Sequence, residues 1–224
     1  MKGFCAIVRT SPAATDVSGV SRRNSLVALA GAAVPALVHR PALAGGQLEE
    51  PLIDSVRTAL SASISSAAPP VPVFADTVSR IEHLRWLGAM STRLRRRKAD
   101  LETRKEFLQT VWYESKRAGL DTTLVLGLIQ VESAFRKYAV SVAGARGYMQ
   151  VMPFWTRVLG SGDPSVLFHM QTNLRFGCVI LRHYLDREKG NLFMALGRYN
   201  GSRGKDPYPK AVISASRQWE YHTA

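Results

Sequence analysis

Cysteine is scarce in this sequence: Cys5 and Cys178 are the only two, too few for a disulfide framework or a cysteine-rich zinc site. Acidic residues are few as well, 17 against 30 Lys and Arg, for a formal net charge of +13. Long apolar runs are missing. The longest of note, 26–38 (LVALAGAAVPALV), is 13 residues, where a bilayer-spanning helix needs about 20. No repeat of 20–50 residues is visible, and the histidines after residue 44 (His83, His169, His183, His222) lack ligand spacing. These absences exclude a disulfide-stapled mini-protein, a multi-span membrane protein, a solenoid and a histidine metal centre. What is present is 46% hydrophobic residues and a mean hydropathy of −0.06, the balance of a globular domain.

The apolar run is the length of an export-signal core. Arg22 and Arg23 precede it, and Ala42-Leu43-Ala44 follows as a small-x-small cleavage pattern. We expect residues 1–44 to be an export signal, with Ser21–Leu26 allowing the twin-arginine route beside the ordinary one. Cleavage after Ala44 removes five cations and one acid, leaving 180 residues at a net charge of +9. Such a surface suits an anionic partner: nucleic acid, a membrane surface or an acidic polymer such as cell wall. Residues 45–77, rich in Ala, Ser and Pro, read as a linker.

From Val78 the pattern is helical. Ile81, Leu84, Leu87, Met90 and Leu94 recur as one helix face, and the basic run Arg93–Lys98 follows within a segment spanning 78–104. That run carries no interleaved aromatic residues, which favours a solvated face over nucleic-acid binding. A helix through Leu108 and Trp112 should stop at Gly119, and Asp121 should cap another from Thr122 to about Phe135. Further helices are expected over 153–159, 172–187, 192–197 and 209–219. No alternating run predicts a strand, so the fold class is all-α.

Glu132 is out of place in that pattern. It follows a nearly continuous apolar stretch (Leu124–Ile129) and falls in a helix's last turn. Burial and the negative end of the helix dipole both disfavour its charge, as a general acid near neutral pH requires. On position alone, a buried Glu paired with an arginine explains the residue equally well.

The surrounding motifs separate the two readings. Glu132-Ser133 leads into Ser141-Val142-Ala143-Gly144-Ala145-Arg146-Gly147-Tyr148-Met149-Gln150-Val151-Met152-Pro153, and later come Asn173, Gly177 and Arg198-Tyr199-Asn200-Gly201. This resembles the soluble lytic transglycosylase family of the lysozyme-like superfamily. The resemblance implies a lysozyme-like helical domain over 105–219 with a substrate groove, followed by a tail at 220–224. It implies peptidoglycan glycan strands as substrate, cleaved with formation of a 1,6-anhydro sugar. It implies no cofactor, no nucleic-acid partner, and no stable membrane insertion after signal cleavage. The expected location is the periplasm of a Gram-negative bacterium, or secretion.

Carried over by residue, Glu132 becomes the acid/base. Ser141, Gln150, Met152, Tyr199 and Asn200 become glycan-binding or site-lining positions. Arg198 and Tyr148 differ from the family's usual Ala and Leu, and both are expected at exposed groove positions. The stretch Val131–Met152 holds no acid besides Glu132, whereas ordinary glycosidases use two carboxylates. The family meets this with substrate assistance from the N-acetyl group. Alternatives are a water-using muramidase and a wall-binding or secretion-associated accessory protein.

Overall fold

The computed structural model describes Gln47, Thr58 and residues 71–158 and 162–222. The export signal (1–44), most of the expected linker and the last two residues lie outside them. The described part is helical. In chain order it contains α1 (Thr77–Leu94), α2 (Leu101–Arg117), α3 (Thr122–Ser133), α4 (Phe154–Val158), a 3₁₀ turn (Pro164–Phe168), α5 (Met170–Arg187), α6 (Leu192–Asn200) and α7 (Pro207–Arg217). Extended pairing among the described residues is limited to two isolated bridges, Val140 with Arg146 and Arg146 with Val151. None of the described helices is long and apolar enough to cross a membrane.

The caps are written in the sequence. Asp76, Asp100 and Asp121 each accept a hydrogen bond from a backbone N–H in the first turn of α1, α2 and α3. Asn191 does the same for α6. Gly119 takes φ +64° just past α2, the left-handed stop that glycine tolerates.

α1 docks on the domain through Leu87, Met90 and Leu94, all buried. Truncating either fully buried one, Met90 or Leu94, to Ala removes about 2–5 kcal/mol of stability. The upper half of the expected face does not follow: Ile81 and Leu84 are exposed. His83 turns inward instead, packing its ring on Phe74, Trp86 and Trp112. Period alone cannot see this, because the inward stripe is set by what α2 offers to pack against.

The basic run after α1 is largely structural. The Arg93 guanidinium donates to the Gln218 and Glu220 carbonyls at 3.1 and 2.8 Å. Arg97 lies over the Phe135 ring. Lys98 donates to the Tyr148 hydroxyl at 2.6 Å and lies over the Phe107 ring. Burial, with Lys137 nearby, pulls its pKa down to about 8.

Two buried features set the frame around α3. Gly127 lets α7 come very close: a Cβ there would stand 2.6 Å from the Ser216 backbone nitrogen. On the opposite side, Glu114 of α2 pairs with Arg175 of α5 (3.0 Å) and accepts from Gln171, joining those helices through a buried ion pair. Cys178, on the same helix, is a core residue, as its apolar neighbours suggest.

Candidate functional site

Glu132 closes the apolar helix α3 and is 8% exposed. Burial drives its pKa from the ordinary 4.5 up to about 8, against an opposing pull from the Tyr208 hydroxyl, which donates to Oε1. Its other oxygen, Oε2, is buried and has no hydrogen-bond partner. Among the described residues no arginine is paired with it. Burial thus favours the protonated carboxyl near neutral pH.

The chain turns sharply after this helix. Ala134 (φ 49°) and Phe135 (φ 66°) both sit in the left-handed region, which costs a non-glycine residue of order 1 kcal/mol or more each. Packing of the Phe135 ring on Phe107 and Trp219 holds the turn. Ser133 adds a tie, donating to the Tyr148 carbonyl at 2.7 Å.

The glycine-rich motif folds as a tight loop beside Glu132. Arg146 and Val151 exchange both backbone hydrogen bonds (2.9 and 3.0 Å), pinching off 147–150. Gly147 (φ 77°) and Gln150 (φ 49°) make the bend. Asn173 of α5 fixes the loop from below. Its Oδ1 accepts from the Met149 N–H at 2.8 Å, while its Nδ2 donates to the Arg146 and Leu167 carbonyls at 2.9 Å each. One turn on, Gly177 gives Met149 its place, since a Cβ there would overlap the Met149 side chain. The N-x-x-x-G spacing thus puts one amide and one gap on the same helix face, a turn apart.

The remaining motif positions take these places. Tyr199 of α6 is fully buried and donates to the Met149 carbonyl at 2.7 Å; its pKa is driven well up by burial, then by the charge on Glu132. The Gln150 side chain is turned inward, donating to the Ala139 and Gly147 carbonyls at 3.1 and 2.9 Å. Ser141 closes a turn, its hydroxyl accepting from the Ala145 N–H at 3.0 Å. Met152 is half-buried. Asn200 ends α6 and donates to the Ser202 hydroxyl, leaving its Oδ1 buried without a partner. Glu132, Tyr199, Met149 and the loop thus converge, while Ser141 and Asn200 stand at the ends of the segments that carry the others.

Two expectations are corrected. Tyr148 is 1% exposed, a core ring against Phe107 and not an exposed groove residue. Arg198 is a bridge: its Nε donates to Glu188 at 2.6 Å, and Arg203 meets the same carboxylate at 2.7 Å. The two guanidiniums hold the Glu188 carboxyl down at about 2.

Sequence reasoning gave no site role to Tyr208 and Gln47. Tyr208 lies beyond the motifs quoted above, and its contact with Glu132 depends on the close approach of α7 to α3. Gln47 falls in the expected linker, yet it is buried against the motif loop. Its Oε1 accepts from Trp155 Nε1 at 2.8 Å and from the Met152 N–H at 3.3 Å. No local signal marks it. A cavity of about 310 Å³ beside Tyr148 is lined by Glu106, Lys137, His169 and Gln171 among others, and Glu132 does not border it. Among the described residues no group of three or more His, Cys, Asp or Glu converges as metal ligands would.

An all-helical domain with one buried, partly unpartnered carboxyl group beside a glycine-rich loop is the class these observations define. Residues 109–219 match the model of the Transglycosylase SLT domain. Similar curated proteins are named membrane-bound lytic murein transglycosylase C. The one from Glaesserella parasuis is 53% identical over 49 residues, covering 22% of this chain and 14% of the relative. The one from Haemophilus ducreyi is 36% identical over 121 residues, covering 50% and 30%. The chain thus spans less than a third of the length of these relatives. A solved structure of the lytic transglycosylase Slt from Pseudomonas aeruginosa aligns with a TM-score of 0.39 at 19% identity, covering 62% of this chain and 26% of that one.

Proposed function

We propose that the protein is a peptidoglycan lytic transglycosylase, exported to the periplasm, that cleaves the β-1,4 bond between N-acetylmuramic acid and N-acetylglucosamine. Glu132 is its single acid/base. Protonated near neutral pH, it gives its proton to the glycosidic oxygen as the bond to the muramic acid C1 breaks. The positive charge developing at C1 has no second carboxylate to meet it within the motif segment, and the carbonyl oxygen of the sugar's own N-acetyl group takes that place. The 6-hydroxyl then attacks C1, and its proton passes to the Glu132 carboxylate. The product is a 1,6-anhydro end, no water is consumed, and Glu132 is returned protonated.

The observation that carries this reading is the burial of Glu132 without a cationic partner, which favours the protonated acid before reaction and a strong base after it. Tyr208 fixes the carboxyl position, and Gln150, Met152 and Tyr199 are assigned to the adjoining glycan-binding wall. The basic surface suits a wall polymer bearing carboxylates.

Digestion of isolated peptidoglycan with the wild-type chain and with Glu132→Gln, followed by mass spectrometry, tests it. The expected result is fragments from the wild type alone, lighter than hydrolysed fragments by the mass of one water. Hydrolysed ends alone would replace this reading with a water-using muramidase. Undiminished cleavage by Glu132→Gln would remove the residue from the mechanism.

A further inference from the structure

Gln47 lies about a hundred positions from the loop it touches, outside the matched family segment, and is 5% exposed. Its side chain meets the site with both halves of an amide. The carbonyl oxygen accepts from Trp155 Nε1 (2.8 Å) and the Met152 N–H (3.3 Å), and Nε2 donates to the Gln150 carbonyl (3.4 Å). Trp155 and the Gln150–Met152 backbone therefore offer two N–H donors and one carbonyl acceptor to a single planar amide. An acetamido group presents the same pair, one C=O and one N–H.

We propose that Gln47 occupies the glycan groove in cis. Its carboxamide fills the place of a sugar acetamido group, so that an incoming N-acetylated glycan must displace it. This rests on the reading of the site as a glycan groove. Two of the three contacts to the loop are at the long edge of hydrogen-bonding distance, so an amide on a ligand can replace them with little loss. Self-occupancy lowers apparent affinity by the fraction of molecules that are open, and leaves the chemical step alone.

The test compares the full chain with its Gln47→Ala and Gln47→Asn variants, using tri-N-acetylchitotriose as the probe. Binding is measured by calorimetry, and the Trp155 indole N–H is followed by NMR. Both variants are expected to bind the trisaccharide roughly threefold to tenfold more tightly than wild type. Their free-state indole resonance should be displaced from the wild-type position, with the ligand-bound positions coinciding. Equal or weaker binding by both variants overturns the proposal, because Gln47 is then an anchor or part of the ligand site. Absence of binding by all three chains overturns it too. The result is separate from the reaction. Tighter binding by the variants with no anhydro product from any chain leaves self-occupancy standing and removes the transglycosylase reading.

Discussion

The Tyr208 hydroxyl donates to the Glu132 carboxyl across the interface of α7 and α3, and both groups are buried. The bond pulls the carboxyl pKa down while burial pushes it further up, so Tyr208 sets how far above neutral the acid holds its proton. Gly127 permits the contact by letting the two helices approach. Removing the hydroxyl with Tyr208→Phe leaves the carboxyl without its donor. The alkaline limb of kcat/KM is expected to move upward in pH, and kcat to fall by about 10-fold to 100-fold as the carboxyl loses its fixed orientation. A pH–rate profile of the variant beside wild type measures both.

The same burial sets a pH dependence of stability. A carboxyl whose pKa is raised on folding contributes its stabilisation below the unfolded value of 4.5, and that contribution is lost as pH rises toward the folded value of about 8. Glu132→Gln has no charge to bury. Denaturant melts are expected to show the variant more stable than wild type at pH 8 by on the order of a few kcal/mol. The gap should close toward pH 4.5.

Asn173 makes three hydrogen bonds to the motif loop and its approach. Asn173→Ala leaves the Met149 N–H without its acceptor and takes a donor from the Arg146 and Leu167 carbonyls, and is expected to cost about 3 kcal/mol in a chemical melt. Gly177→Ala pushes directly on Met149, and should reduce activity more than its melting temperature suggests. The split between rate and stability is the readout, since the loop carries the groove wall.

Glu114 and Arg175 form the buried ion pair between α2 and α5. Glu114→Ala removes the carboxylate that faces the buried guanidinium, and a loss of about 3–5 kcal/mol is expected by urea titration. The Glu132 limb of the pH–rate profile should stay in place where the variant is folded, because the pair does not touch the acid.

Much of this was legible in the chain. The start of α3 follows from Asp121, and Glu132 stands out as an acid ending an apolar helix. The glycine and asparagine spacing of the family motifs marked the loop and its brace. What was not legible depends on distant partners. Whether Ile81 or His83 turns inward is decided by the aromatic residues opposite. Arg198 reads as a groove position until Glu188 is seen beside it. Tyr208 acquires meaning only through the Gly127 contact, and Gln47 only through a loop a hundred residues away.

The central claim is that burial keeps the Glu132 carboxyl protonated at neutral pH, and its side-chain carbon reports this directly. A carbon-13 NMR titration of the Glu132 carboxyl in the folded protein should give a midpoint near 8. A midpoint at the ordinary 4.5 would contradict the account, since the residue would then be a carboxylate at neutral pH with no proton to give.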